Sequence, residues 1–210
     1  MRMRNKPWVA KYLEEFDQDV LIKEPSIYKG KWRSRLNKDI IHVEIGTGKG
    51  DYWLQMAKLY PNYGWIGIEK ERNCAAIALK KAVVEPIDNR CFIIADASMI
   101  SEWFADKEID VIHLNFSDPW PKKRNHKKRL THDLFIETYD KVLKNDGQII
   151  MKTDNQQLFE FSLLNMQDKW RLNSVFVNFD SVVHQDVVTE YEKKFIDEGK
   201  PIYRAVWQKR

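Results

Sequence analysis

The chain has little cysteine: Cys74 and Cys91 are the only two in 210 residues. They show no CxxC spacing and no histidine pair lies near them, so neither a disulfide framework nor a zinc site is encoded. Both read as reduced core residues, one in a helix and one in a strand. Long apolar runs are also missing. No stretch approaches the ~20 apolar residues that span a bilayer, which excludes a helical membrane protein. The basic start, "MRMRNKPW", is not followed by the apolar segment of a secretory signal, and a cytoplasmic location is expected. His42, His113, His126, His132 and His184 have no ligand spacing among them, so no metal is expected. No internal repeat or low-complexity linker is present.

What is present suffices for one core. With 43% hydrophobic and 12% aromatic residues, a chain of this length buries roughly 70% of its unfolded surface. We expect a basic arm over 1–39, loosely ordered or forming a pair of short helices, and a single domain over 40–210. The net charge of +4 conceals an uneven distribution. Arg2, Arg4, Lys6 and Lys11 form one acid-free block, and Lys29, Lys31, Arg33, Arg35 and Lys38 form a second. Lys122 to Arg129 holds six basic residues in eight. Any one block can be a solvated loop, but three together suggest a polyanionic partner.

From residue 40 onward, short β-rich runs alternate with helical periods. Strands are predicted at 40–46, 64–70, 91–96, 110–117 and 147–154, with two more at 172–179 and 202–209. Trp53, Met56, Ala57 and Tyr60 keep helical spacing, as do Phe135, Ile136, Tyr139, Val142 and Leu143, and Leu158, Phe161 and Ser162 begin a further helix. The polar segment 189–199 joins the last two strands as a helix. This alternation predicts an α/β protein with a mostly parallel, seven-stranded, Rossmann-like sheet covered by helices on both faces.

"VEIGTGKG" follows the first strand and opens a helix. Gly46, Gly48 and Gly50 permit a tight turn and close approach of backbone to a ligand. The third glycine of the dinucleotide pattern is absent, since position 51 is Asp. A pyrophosphate there would face Glu44 and Asp51, whereas a cofactor carrying a sulfonium and an ammonium would welcome carboxylates. The charge pattern therefore favours S-adenosylmethionine over NAD. Glu69 ends the second strand, 19 residues after Gly50, the spacing at which an acid accepts from ribose hydroxyls, and Asp96 ends the third, from where it could reach an adenine amino group. Asp96, ahead of Ala97 and Ser98, could equally be a helix N-cap. Strand four leads into "DPWPKKRNHKKR", in which Pro119 keeps Asp118 extended just past the strand. Trp120 could stack on a base or anchor the loop. "KTD" supplies Asp154. "TEYE" supplies Thr189, Glu190, Tyr191 and Glu192, which also fit a capping box.

In this order and spacing, "VEIGTGKG", Glu69, Asp96, "FSDPWPKKRNHKKRL", "KTDN" and "TEYEKKF" resemble the bacterial tRNA (guanine-N7-)-methyltransferases over essentially the whole chain. The "DPWPKKR" and T-x-Y-E stretches are specific to that family, while the glycine loop is common to methyltransferases. One departure is Asn125-His126, where related sequences often have histidine followed by another residue. The resemblance implies a class I S-adenosylmethionine-dependent fold and transfer of a methyl group to N7 of a guanosine in the tRNA variable loop. It implies that Glu44, Gly46, Gly48, Gly50, Glu69, Asp96, Ala97 and Asp118 bind the cofactor and that Asp118 is catalytic. Lys122, Asp154 and Thr189 to Glu192 would meet the guanosine, and Arg124, Asn125, His126, Lys127, Lys128 and Arg129 the RNA. A monomer or homodimer acting on tRNA, with no membrane and no metal, is implied. Two rivals are an exocyclic-amine nucleic-acid methyltransferase, since "SDPW" loosely resembles the Asp/Asn-Pro-Pro-aromatic loop, and a non-catalytic RNA-binding module on the same scaffold.

Overall fold

The computed structural model of the protein describes residues 6–210; Arg2 and Arg4 of the first basic block lie outside the described residues. Among them, seven strands form one sheet: β1 (Ile41–Ile45), β2 (Gly64–Ile68), β3 (Arg90–Ile93), β4 (Ile109–Asn115), β5 (Leu143–Thr153), β6 (Trp170–Phe176) and β7 (Tyr203–Lys209). Their order is β3-β2-β1-β4-β5-β7-β6. The first five are parallel, and β7 runs antiparallel between β5 and β6. The helices are α1 (Pro7–Glu15), α2 (Trp32–Leu36), α3 (Asp51–Leu59), α4 (Arg72–Ala82), α5 (Ile100–Trp103), α6 (Asp133–Val142), α7 (Gln156–Met166) and α8 (Glu190–Asp197). Parallel strands need long crossovers, and helices in those crossovers cover both faces. That is why β2 and β3 are buried along their whole length.

The sheet's order reverses at β1, whose neighbours are β2 and β4, so the connections after β1 and β4 diverge and leave a crevice at their carboxyl ends. Gly50 fixes one wall of it. Its φ of +86° is a left-handed conformation, and an added Cβ would stand 2.8 Å from the Cβ of Ala78. The small residues Ala75, Ala76 and Ala78 let α4 come this close, so only glycine satisfies both demands.

Of the two expectations for 1–39, the described residues 6–39 show the short helices, α1 and α2, and not a loose arm, while one element boundary differs from expectation; both have physical causes. Val9, Leu13 and Phe16 recur at helical spacing and join a buried cluster with α3 and α4. Trp32 is fully buried, its indole N–H donating to Trp103 O at 2.8 Å, while Glu108 accepts from the backbone of Gly30 and Trp32. The basic residues surround these few apolar anchors and mask them. Leu143, expected to end α6, instead begins β5, where it pairs with Ile109 before a register shift at 109–111.

Candidate active site

The carboxyl ends of β1 and β4, the glycine loop and the first turn of α8 line a cleft of about 420 Å³ that is partly open to solvent. Its floor is Glu44, which is 2% exposed. Asn115 Nδ2 donates to Glu44 Oε1 at 2.9 Å, but Oε2 is buried with no partner. Burial pushes the Glu44 carboxyl up to about 8, although Asn115 and the nearby Lys152 ammonium favour the charged form. An orphaned buried carboxylate oxygen facing a cleft is an unfavourable arrangement unless a cation or donor completes it. Glu69 supports the loop: Gly48 N donates to its Oε2 at 2.9 Å and Glu71 N to its Oε1 at 2.7 Å. Burial raises its carboxyl as well, partly offset by those N–H donors. Across the cleft, Lys49 of the glycine loop pairs with Glu190 at 2.7 Å, and Thr189 and Tyr191 complete the wall.

Asp96 caps the short turn after β3, accepting from Ser98 N at 3.0 Å, and pairs with Lys70 at 3.2 Å. Burial would raise its carboxyl, but the Ser98 N–H and Lys70 outweigh it and hold it below the usual range. Asp118 is exposed in the loop after β4. The loop is bent by two non-glycine residues in the left-handed region, Phe116 at φ 49° and Trp120 at φ 41°, a strain that proteins retain mainly at functional sites. Lys128 stands 4.6 Å above the Trp120 ring. Lys122, Arg124, Lys127 and Lys128 are exposed, and Asn125 and His126 are half-buried. Asp154 is half-buried beyond β5, with Lys200 4.0 Å away.

A family model described as "Putative methyltransferase" matches residues 38–205. The chain is 44% identical over 208 residues to the tRNA (guanine-N(7)-)-methyltransferase of Oceanobacillus iheyensis, covering 98% of this chain and 97% of that one. It is 45% identical over 216 residues to the enzyme of that name from Bacillus licheniformis, covering 99% and 100%. This chain belongs to the tRNA (guanine-N(7)-)-methyltransferase family. Among solved structures, an antibiotic-related methyltransferase superposes with a TM-score of 0.65 at 18% identity, covering 89% of this chain and 96% of that one, and so shares the fold. The doubly wound methyltransferase sheet expected from the strand pattern is the one observed.

In this methyltransferase scaffold Glu44, Gly46, Gly48, Thr189, Glu190 and Tyr191 line one cleft. Glu69 and Gly50 shape its loop from behind, and Asp96, Ala97, Asp118, Lys122 and Asp154 stand outside that lining, on the neighbouring strand ends and loops. Two expected roles are corrected. Arg129 is 3% exposed and does not face solvent as an RNA contact would. It donates from Nε to Pro119 O at 2.9 Å and lies 4.5 Å over the Phe161 ring, bracing the Asp118 loop. Glu192 is fully buried, and both its oxygens are taken, by Lys152 and Thr189 N on one side and by Ser181 on the other. It closes the capping box with Thr189 and, with no exposed surface, faces inward rather than toward a base. Sequence reasoning missed Asn115, Lys49, Tyr52 and Lys152. Asn115 is the one with a legible signal, since it ends the strand beside Glu44. Among the described residues, no helix is long and apolar enough to cross a membrane and no group of three or more His, Cys, Asp or Glu could hold a metal.

Proposed function

We propose that this protein transfers a methyl group from S-adenosylmethionine to N7 of a guanosine in the variable loop of tRNA, in the cytoplasm. The observation that carries the cofactor assignment is the unpartnered Glu44 Oε2 beside the glycine loop. A cationic ligand gains from the ionised form of this carboxyl, whereas a pyrophosphate would be repelled by that form and would hold the group protonated. Membership of the family supports the choice of acceptor.

When bound, the cofactor supplies an electrophilic methyl on its sulfonium. Glu44 meets its positive end, Glu69 holds Gly48 N and accepts ribose hydroxyls with its remaining lone pairs, and Asp96 takes the adenine edge. Guanine N7 has an in-plane lone pair and no proton, so no general base is required. What remains for the protein is placement and stabilisation of the positive charge that develops on the guanine ring. Asp118, exposed on a strained loop between the cleft and the basic stretch, takes the electrostatic role. Asp154, with Lys122 and the Thr189–Tyr191 turn, contacts the base, and Asp154 accepts from guanine N–H groups that adenine does not offer. Arg124, Asn125, His126, Lys127 and Lys128 meet the phosphate backbone.

Incubating unmodified bulk tRNA with labelled S-adenosylmethionine, then cleaving chemically at 7-methylguanosine, should place the label at one variable-loop guanosine. Label on an exocyclic amine, or none in RNA, would reject the assignment.

A further inference from the structure

Lys152 lies in β5 with its side chain fully buried. A lysine ammonium removed from water is strongly unfavourable unless acceptors surround it. Here they all come from one segment. Its Nζ donates to Glu192 Oε2 at 2.9 Å, Val187 O at 2.9 Å and Ser181 Oγ at 3.4 Å, and stands 3.3 Å from Asp186 Oδ2. Ser181 in turn donates to Glu192 Oε1. Arg204, paired in register with Lys152 on β7, supplies a second cation facing Asp186. Two cations therefore meet two carboxylates beneath residues 180–192.

The segment's other attachments are dispersed: Tyr60 Oη donates to Gln185 O at 3.3 Å, Lys49 pairs with Glu190, and His184 packs on Phe176 and Phe179. Phe179 and Val187 are buried, but Val182 and Val183 are largely exposed. It ends in the capping box from which Thr189, Glu190 and Tyr191 project into the cleft. Lysine suits the post because its point charge directs three donors at several acceptors at once. Methionine would fill a similar space with no donor.

We propose that Lys152 is a positioning residue for methyl transfer, a buried cation that clamps residues 180–192 to the sheet and so fixes where Thr189, Glu190 and Tyr191 stand over the cleft. The proposal rests on the reading of that cleft as the cofactor site. Lys152 touches neither reactant; it acts through the turn it holds and, as a neighbouring cation, favours the ionised Glu44, an effect that Asp186→Asn and Ser181→Ala leave in place.

The test compares full-length wild type, Lys152→Met, Asp186→Asn and the double variant. The readouts are KM and kcat, cofactor Kd by calorimetry, tRNA affinity, and amide hydrogen exchange. Lys152→Met should raise cofactor Kd and KM at least tenfold, with a smaller fall in kcat. Exchange should accelerate over 180–199 alone, and tRNA affinity should stay within twofold. Asp186→Asn should raise KM severalfold and add nothing in the Lys152→Met background, since both remove one clamp. Accelerated exchange with unchanged cofactor Kd and KM would overturn the proposal, as would additive effects of the two changes. If Lys152→Met does not fold, Asp186→Asn and Ser181→Ala carry the same test, and an unchanged KM in both overturns it. Wild-type protein that binds cofactor but does not label tRNA would refute the proposed reaction while leaving the Kd comparison to judge the clamp.

Discussion

Replacing Glu44 with Gln tests the cofactor site through its proton. In the ligand-free protein burial holds the Glu44 carboxyl near 8, so at neutral pH it is mostly protonated. A cationic ligand needs the carboxylate and must expel that proton, at about 1.4 kcal/mol, or tenfold in affinity, for each pH unit below 8. Between pH 7.5 and pH 6 the cofactor's own α-amino group remains largely protonated. Over that window the wild-type Kd should therefore rise roughly 25-fold, with close to one proton released per cofactor bound at pH 7. Glu44→Gln keeps the size and the bond to Asn115 but cannot ionise. Its Kd should be weaker than wild type at pH 7.5 and nearly flat with pH. Isothermal calorimetry in two buffers of different ionisation enthalpy reads both the affinity and the proton count. A flat wild-type profile, or a Gln variant that binds as wild type does, would refute the assignment of Glu44 to the cation.

Five further outcomes are expected. The raised Glu44 carboxyl makes the folded state bind more protons than the unfolded chain between about 4.5 and 8, so ligand-free stability contributed by this group falls as pH rises through that range; the Tm difference between wild type and Glu44→Gln isolates it, because buried His42 and His113, whose pKa values burial lowers, are common to both. Asp118→Ala should abolish methyl transfer while tRNA affinity, measured by filter binding, stays near wild type. Replacing Arg124, Lys127 and Lys128 together by Ala should weaken tRNA binding and flatten its log–log salt dependence by about 2 units, since each lost phosphate contact removes roughly 0.7–0.9; Arg129→Ala should leave that slope alone and instead destabilise the fold by about 2 kcal/mol, a loss of several degrees in Tm. Gly50→Ala, forced into a left-handed conformation against Ala78, should cost about 2 kcal/mol or more by chemical denaturation.

How far the sequence could be read follows from which features are local. The strands of the parallel sheet announced themselves because burial on both faces makes them continuous apolar runs. The glycine loop and its acids were legible because their spacing is set within one βαβ unit. Arg129 and Glu192 were not, and for the same reason as each other. Each sits in a run of charged residues that resembles a solvated face, and only the fold brings Pro119, Trp120 and Phe161 around the one, and Lys152 and Ser181 around the other. A basic run therefore divides by burial. Five residues of 124–128 remain open to solvent or half open, while the sixth is the brace that holds the loop carrying Asp118. The T-x-Y-E stretch divides in the same manner: Glu192 turns inward to the clamp, and Thr189, Glu190 and Tyr191 turn to the cleft. In both motifs the charge that anchors is adjacent in sequence to the groups that work, so the anchoring charge sets the placement of its neighbours. Substituting the anchor should consequently alter KM or stability before it alters the chemical step.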